Sequence, residues 1–265
     1  MKINLNAGFG LQPYNCTSNM NYNKHIEWVY DNSSDVSMFI DHSIPKGMAV
    51  CDNKKKYAWV LESKEIIPNI VEYVKQNYDL LSLHYEAIFT CNKELLSLGP
   101  AIKYSITNAV PWVQDRKIHN KYKLVSMISS NKSMCAGHNN RLKWVSKLKN
   151  DVDLYGSGFN WIDKKEDGLK DYMFSVAIEN SSYDTYYTEK ITDCFAVGTI
   201  PIFYGNKDIG NIFNPNGIIM LDDNFDIKSL NSDLYYSKIE AIRENFEIAC
   251  NMQTAEDYIY KEYLK

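Results

Sequence analysis

The stretch MFSVAIENSSYDTYYTEKITDCFAVGTIPIFYG, residues 173–205, decides how the chain folds. It opens with an apolar, β-prone run that stops at Glu179-Asn180, crosses a polar loop and reaches Thr188 just ahead of Glu189 and Lys190. A threonine hydroxyl accepts a hydrogen bond from the first turn of a helix, so Thr188 marks a helix start. Ile191, Cys194, Phe195 and Val197 follow at helical spacing, and Gly198 closes the helix. A second apolar run then occupies residues 200–204. Strand, helix and strand in this order predict two parallel strands with the helix on their face.

Outward from that unit the alternation continues. Strand-like runs occupy residues 2–6, 36–40, 57–61, 86–90, 124–128, 152–155 and 218–221, each bounded by polar turns. Between them, Ile66, Ile70, Val71 and Val74 form one helical stripe, and Leu142, Val145 and Leu148 another. The fold class is therefore α/β, with two Rossmann-like halves. Residues 109–120 have weak periodicity and contain Pro111, which places the boundary near residues 115–120. The expected domains are 1–118 and 119–265. From Ser229 onward, Leu230, Leu234, Ile239, Ile242, Phe246 and Ile248 among charged neighbours predict surface helices with one buried face.

Composition narrows the class of function. The 265 residues carry 29 Lys+Arg against 33 Asp+Glu, a net charge of −4, so no concentrated positive field favours nucleic acid. No apolar run approaches the ~20 residues of a membrane-spanning helix, and the N-terminus lacks the apolar core of a secretory signal. Cys16, Cys51, Cys91, Cys135, Cys194 and Cys250 lie at least 35 positions apart, without paired zinc or redox spacing. They read as reduced thiols of a cytoplasmic protein. On that reading, the Asn-X-Ser/Thr triplets at Asn15, Asn32, Asn131 and Asn180 are chance occurrences.

Ligands of open parallel sheets bind beyond the carboxyl ends of the strands, where a helix N-terminus offers unpaired N–H groups to an anion. Lys190 adds a full charge at that place, which suits a diphosphate, and Glu189 is expected to accept hydrogen bonds from sugar hydroxyls. Arg141 follows the run at 123–128 and a Ser/Asn loop, and a guanidinium there can grip phosphate oxygens bidentately. Asp151-Val152-Asp153 resembles a metal-anchoring Asp-X-Asp, but it opens a strand, and a structural role fits better. Gly8, Gly10, Gly156 and Gly158 form no dinucleotide or P-loop pattern.

Residues 123–131 (KLVSMISSN), Arg141, 152–156 (VDLYG), 174–181 (FSVAIENS), 186–190 (YYTEK) and 198–205 (GTIPIFYG) form a linked set. Its order and spacing resemble the donor-binding half of glycosyltransferase family 10, the α-1,3/4-fucosyltransferases, strongly over about residues 120–222. The resemblance implies a GT-B fold, two Rossmann-like domains facing across a cleft. It also implies inverting transfer of fucose from GDP-fucose to a hydroxyl of an acceptor glycan bound by the N-terminal domain. Carried over residue by residue, Arg141 and Lys190 resemble the diphosphate-binding pair, while Asn180, Tyr186 and Glu189 resemble the residues around ribose and fucose. Upstream, YAWVLES at 57–63 resembles the family's aromatic strand ending in Glu-Ser-Pro, with Lys64 in place of the proline. By that likeness Glu62 is the general base, and His42, His84 and Glu86 are weaker candidates. No metal or other cofactor is expected to be required; a divalent cation is at most stimulatory, since Arg141, Lys190 and the helix dipole can stabilise the departing phosphate. Two other readings stay open: another donor such as GDP-mannose or a UDP-sugar, or an inactive glycan-binding relative.

Overall fold

The structure, a computed structural model, describes residues 1–11, 13–50, 54–183 and 185–265. The chain divides into two compact units, Met1–Asn108 with Gln253–Lys265, and Ala109–Met252. Among the described residues no helix is long and apolar enough to cross a membrane.

In the first unit the order is β1 (Lys2–Asn6), β2 (Glu27–Val29), β3 (Val36–Ile40), α1 (Ile44–Ala49), β4 (Lys55–Val60), α2 (Pro68–Gln76), α3 (Tyr78–His84), β5 (Ala87–Thr90), α4 (Lys93–Leu96) and β6 (Ile102–Tyr104). These strands form one parallel sheet ordered β2-β1-β3-β4-β5-β6. Successive side chains of a strand point to opposite faces, and the core follows that rule. Phe39, Ala58, Val60 and Ile88 pack with Ile70, Val71 and Val74 of α2 on one face, whereas Met38, Ile40, Trp59 and Phe89 pack on the other.

The second unit holds β7 (Lys123–Ile128), α5 (Ala136–Leu148), β8 (Asp153–Tyr155), β9 (Tyr172–Ile178), α6 (Glu189–Ala196), β10 (Ile200–Tyr204), β11 (Ile219–Met220), α7 (Ser232–Tyr236) and α8 (Ile239–Cys250). Its parallel sheet runs β11-β10-β9-β7-β8. Every residue of the central β9 is buried, as expected of a strand covered on both sides. Gly198 ends α6 as the sequence predicts. Its φ of +75° is the left-handed conformation, and its N–H donates to Phe195 O at 3.0 Å.

The nine strand-like runs all become strands. Two more, β2 and β6, escape the sequence pattern because each is three residues long and lies at a sheet edge. The domain boundaries differ from expectation at both ends. Residues 109–118 belong to the second unit because α6 holds them: Thr192 Oγ1 donates to Ala109 O at 2.6 Å, and Asp193 Oδ1 accepts the Trp112 and Val113 N–H groups at 2.6 and 3.0 Å. Residues 253–265 return to the first unit. There α9 (Ala255–Ile259) buries Ala255 and Ile259 against the β1 and β3 face, and Glu256 and Asp257 accept the Thr17 and Lys24 N–H groups. In α8 the buried face is Ala241, Ile242, Asn245 and Ala249. Ile248, expected inside, is exposed; Asn245 takes the inward place, bonding both backbone groups of Asn214. The five described cysteines are free thiols, and Cys51 lies outside the described residues.

Candidate functional site

In the second sheet the chain runs from β7 outward to β8, then crosses back over β7 to β9 and continues outward to β10. The strand order therefore reverses between β7 and β9, and the crevice beyond their carboxyl ends is where an open α/β sheet takes its ligand. A cavity of about 400 Å³ opens there, lined by Ser129 and Ser130 after β7, His138 and Arg141 of α5, Gly156 and Ser157 after β8, Asn180 after β9, and Glu189, Lys190 and Asp193 of α6. Trp112 and Lys165 complete one wall. The first turn of α5 can approach β9 this closely because residue 137 is glycine: a Cβ there would stand 2.0 Å from Asn180 O.

Arg141, in the second turn of α5, is 7% exposed. Its guanidinium donates to Asn180 Oδ1 at 3.1 Å and Ser130 Oγ at 3.0 Å, while its buried Nε has no partner. Both partners are neutral. Among the described residues no carboxylate pairs with it, and burial works against its charge. A cation buried beside neutral groups is stabilised by any anion that enters.

Lys190 and Lys165 are matched by carboxylates, while Lys132, also on the lining, is exposed. Lys190 Nζ meets Glu179 Oε2 at 3.1 Å and Thr188 Oγ1 at 3.0 Å; burial disfavours the ammonium, but the charges of Glu179 and Glu189 together with the Glu179 hydrogen bond outweigh it and raise its pKa. Glu179 is fully buried and also accepts the Thr188 N–H at 2.7 Å, so it fixes the start of α6. Thr188 is the N-cap, as the sequence predicts. Lys165 Nζ lies 3.0 Å from Glu189 Oε1, 2.8 Å from Asp193 Oδ2 and 4.2 Å from the centre of the Trp112 ring. Burial would raise the Glu189 carboxyl, yet the ammoniums of Lys165 and Lys190 hold it down at about 2. The same carboxylates raise Lys165 against its own burial. His138 is lowered by burial and by Arg141, Lys132 and Lys190, so the imidazole is neutral at pH 7.

The structure brings Arg141, Asn180, Glu189 and Lys190 to this one cavity. Tyr186 is not among its lining residues: it is 4% exposed, its ring 5.2 Å from that of Tyr183. Glu189 was expected to be free and is instead ion-paired through Oε1, with the Thr188 side chain also hydrogen-bonded to its carboxylate. Sequence reasoning missed Lys165, which lies in the charge run Lys164-Lys165-Glu166-Asp167 and looks like a solvated face. Asp153 accepts the Tyr172 hydroxyl at 2.6 Å, the structural part expected of it. Glu62 belongs to the first unit, just past β4, and is exposed, with its N–H 3.4 Å from Asp41 Oδ1. His42 and His84 are exposed.

Comparison with known proteins agrees with the fold and with the linked motifs. Over 71 residues the chain is 37% identical to the alpha-(1,3)-fucosyltransferase FucT of Helicobacter pylori, covering 26% of this chain and 15% of that protein. Over 171 residues it is 26% identical to glycoprotein 3-alpha-L-fucosyltransferase A of Drosophila melanogaster, covering 60% and 32%. The matched segments thus span less than a third of either relative. Among solved structures, an α1,3-fucosyltransferase with GDP superposes with a TM-score of 0.56 at 13% identity, covering 97% of this chain and 92% of that one. TarM superposes with a TM-score of 0.58 at 16% identity, covering 87% and 54%. These neighbours fix the fold as GT-B. The family model "Glycosyltransferase family 10 (fucosyltransferase) C-term" matches residues 118–247, the segment that supplies every lining residue of the cavity except Trp112, and it is to the C-terminal domain of that family that this part of the chain is similar.

Proposed function

We propose that the protein is an inverting glycosyltransferase that moves fucose from GDP-fucose to a hydroxyl of an acceptor glycan. The observation that carries this reading is the buried guanidinium of Arg141, which pairs with no carboxylate among the described residues, at the switch-point cavity of the segment that the family 10 model matches. In this reading Arg141 binds the diphosphate, with Lys190 and the N-terminus of α6 beside it. Asn180 and Glu189 take hydroxyls of ribose or fucose. Glu62 removes the acceptor proton as the acceptor oxygen bonds to the anomeric carbon, the bond from that carbon to the phosphate oxygen breaks, and GDP leaves with the electron pair.

The test is transfer itself. Wild-type protein incubated with GDP-fucose and an array of glycans is expected to release GDP and extend at least one glycan, whereas GDP-mannose and UDP-sugars leave the array unchanged. Extension with one of those donors instead would keep the fold and replace the donor. Glu62→Gln is expected to lower turnover about a hundredfold or more with GDP affinity unchanged, because the amide cannot take the proton. Full turnover of that variant would remove Glu62 from the chemistry.

A further inference from the structure

The first sheet has a switch point of its own. With β2 outside β1 and β3 on the other side, the strand order reverses between β1 and β3. The crevice at their carboxyl ends is again the expected ligand position. Asp41, the residue after β3, stands there. It is 5% exposed and has a φ of +49°, a left-handed conformation that costs a non-glycine residue on the order of 1 kcal/mol. Its carboxylate is spent on the end of the neighbouring strand: Oδ1 accepts the Leu61 N–H at 2.8 Å and the Glu62 N–H at 3.4 Å. The backbone that carries Glu62 therefore hangs on a buried, strained acidic residue.

The charge environment adds a second observation. His42, next in the chain, and Lys46 of α1 are exposed, and Lys56 of β4 directs its ammonium to Val50 O. Among the described residues Glu62 is the one charged group that bears on Asp41. Burial, with the like charge of Glu62 added, pushes the Asp41 carboxyl up to about 7. Like-charge coupling is mutual, so an ionised Asp41 increases the proton affinity of Glu62 in return.

We infer that Asp41 is a positioning residue for Glu62, fixing its backbone and, when ionised, strengthening it as a proton acceptor. The inference rests on Glu62 being the base of the proposed transfer. Asp41→Asn is the discriminating variant, because asparagine tolerates the left-handed conformation and keeps an oxygen for the two N–H groups while losing the charge.

The measurement is the pH dependence of kcat from pH 5.5 to 8.5, together with a carboxyl-carbon NMR titration of Asp41 in wild type and in Glu62→Gln. Wild-type kcat is expected to rise through pH 7. Asp41→Asn is expected to lack that rise, running about tenfold slower at pH 8 with the gap closing toward pH 5.5. In Glu62→Gln the Asp41 midpoint is expected to fall. A variant slowed by one constant factor at every pH, or not slowed at all, overturns the inference. So does an Asp41 midpoint unmoved by Glu62→Gln, a result obtained whether or not transfer is detected. A wild-type protein that transfers from no donor contradicts the proposed function instead.

Discussion

Arg141→Ala is expected to weaken GDP binding about a hundredfold. A guanidinium gripping a phosphate makes charge-assisted hydrogen bonds of about 1.5–3 kcal/mol each, and losing two removes about 3 kcal/mol or more. Lys190 and Lys165 cannot substitute, because Lys190 is held by Glu179 at 3.1 Å and Lys165 by Glu189 and Asp193, and the exposed Lys132 offers a hydrated point charge rather than a bidentate fork. Arg141→Lys is expected to recover only a small part, since an ammonium reaches one oxygen where the guanidinium reaches two. The change also deprives Asn180 Oδ1 and Ser130 Oγ of the charge-assisted bonds they accept from the guanidinium, a cost to folding partly offset because no unpaired charge is then buried. Calorimetric titration with GDP, read beside urea unfolding of the free proteins, separates the two effects. GDP affinity unchanged in a folded Arg141→Ala would refute the anion assignment.

The largest loss of stability is expected at Lys165. Replacing it by methionine leaves the Asp193 and Glu189 carboxylates, with side chains 2% and 11% exposed, facing each other without the shared ammonium. Removing one partner of a buried ion pair typically costs about 3–5 kcal/mol. The pH dependence follows from the carboxyls. In the native protein Glu189 is depressed from 4.5 to about 2, so it contributes stability that is present above pH 4.5 and is lost as the pH falls through 2. Asp193 already stands above its ordinary value because burial outweighs Lys165; without Lys165 it rises further and Glu189 rises above its own, so the folded state binds protons more tightly than the unfolded one and stability increases as the pH falls. The deficit of Lys165→Met is therefore expected to be widest at pH 7 and to narrow toward pH 4.5 in urea titrations. Adding Asp193→Asn and Glu189→Gln is expected to restore part of it at pH 7. A deficit independent of pH would show that packing against Trp112, not charge, was lost.

Much of this was legible in the sequence because local rules decided it. Residues 173–205 became strand, capped helix, left-handed glycine and strand in the expected places, since Thr188, the apolar stripe and Gly198 act on their own neighbourhoods. Four of the five proposed donor residues converge on one cavity for the same reason: strand ends and a helix start are local features that the parallel topology gathers. What stayed hidden depends on partners far along the chain. Lys165 gains its importance from Asp193, Glu189 and Trp112; Tyr186 is drawn into the interior beside Tyr183; and Glu256 returns to Thr17 from the other end of the molecule. Asp41 gave no signal at all, because neither its left-handed backbone nor its hold on Glu62 is encoded by any pattern of neighbours.

In the proposed function the switch-point cavity of the second unit binds guanosine diphosphate. Thermal unfolding of the wild-type protein alone and with GDP, UDP, CDP or ADP tests it most directly, because a ligand at a hundred times its dissociation constant stabilises the folded state by about 2.7 kcal/mol. A rise in Tm with GDP, absent with the other three and lost in Arg141→Ala, is the predicted result. No shift with any nucleotide, or an equal GDP shift in Arg141→Ala, would contradict it.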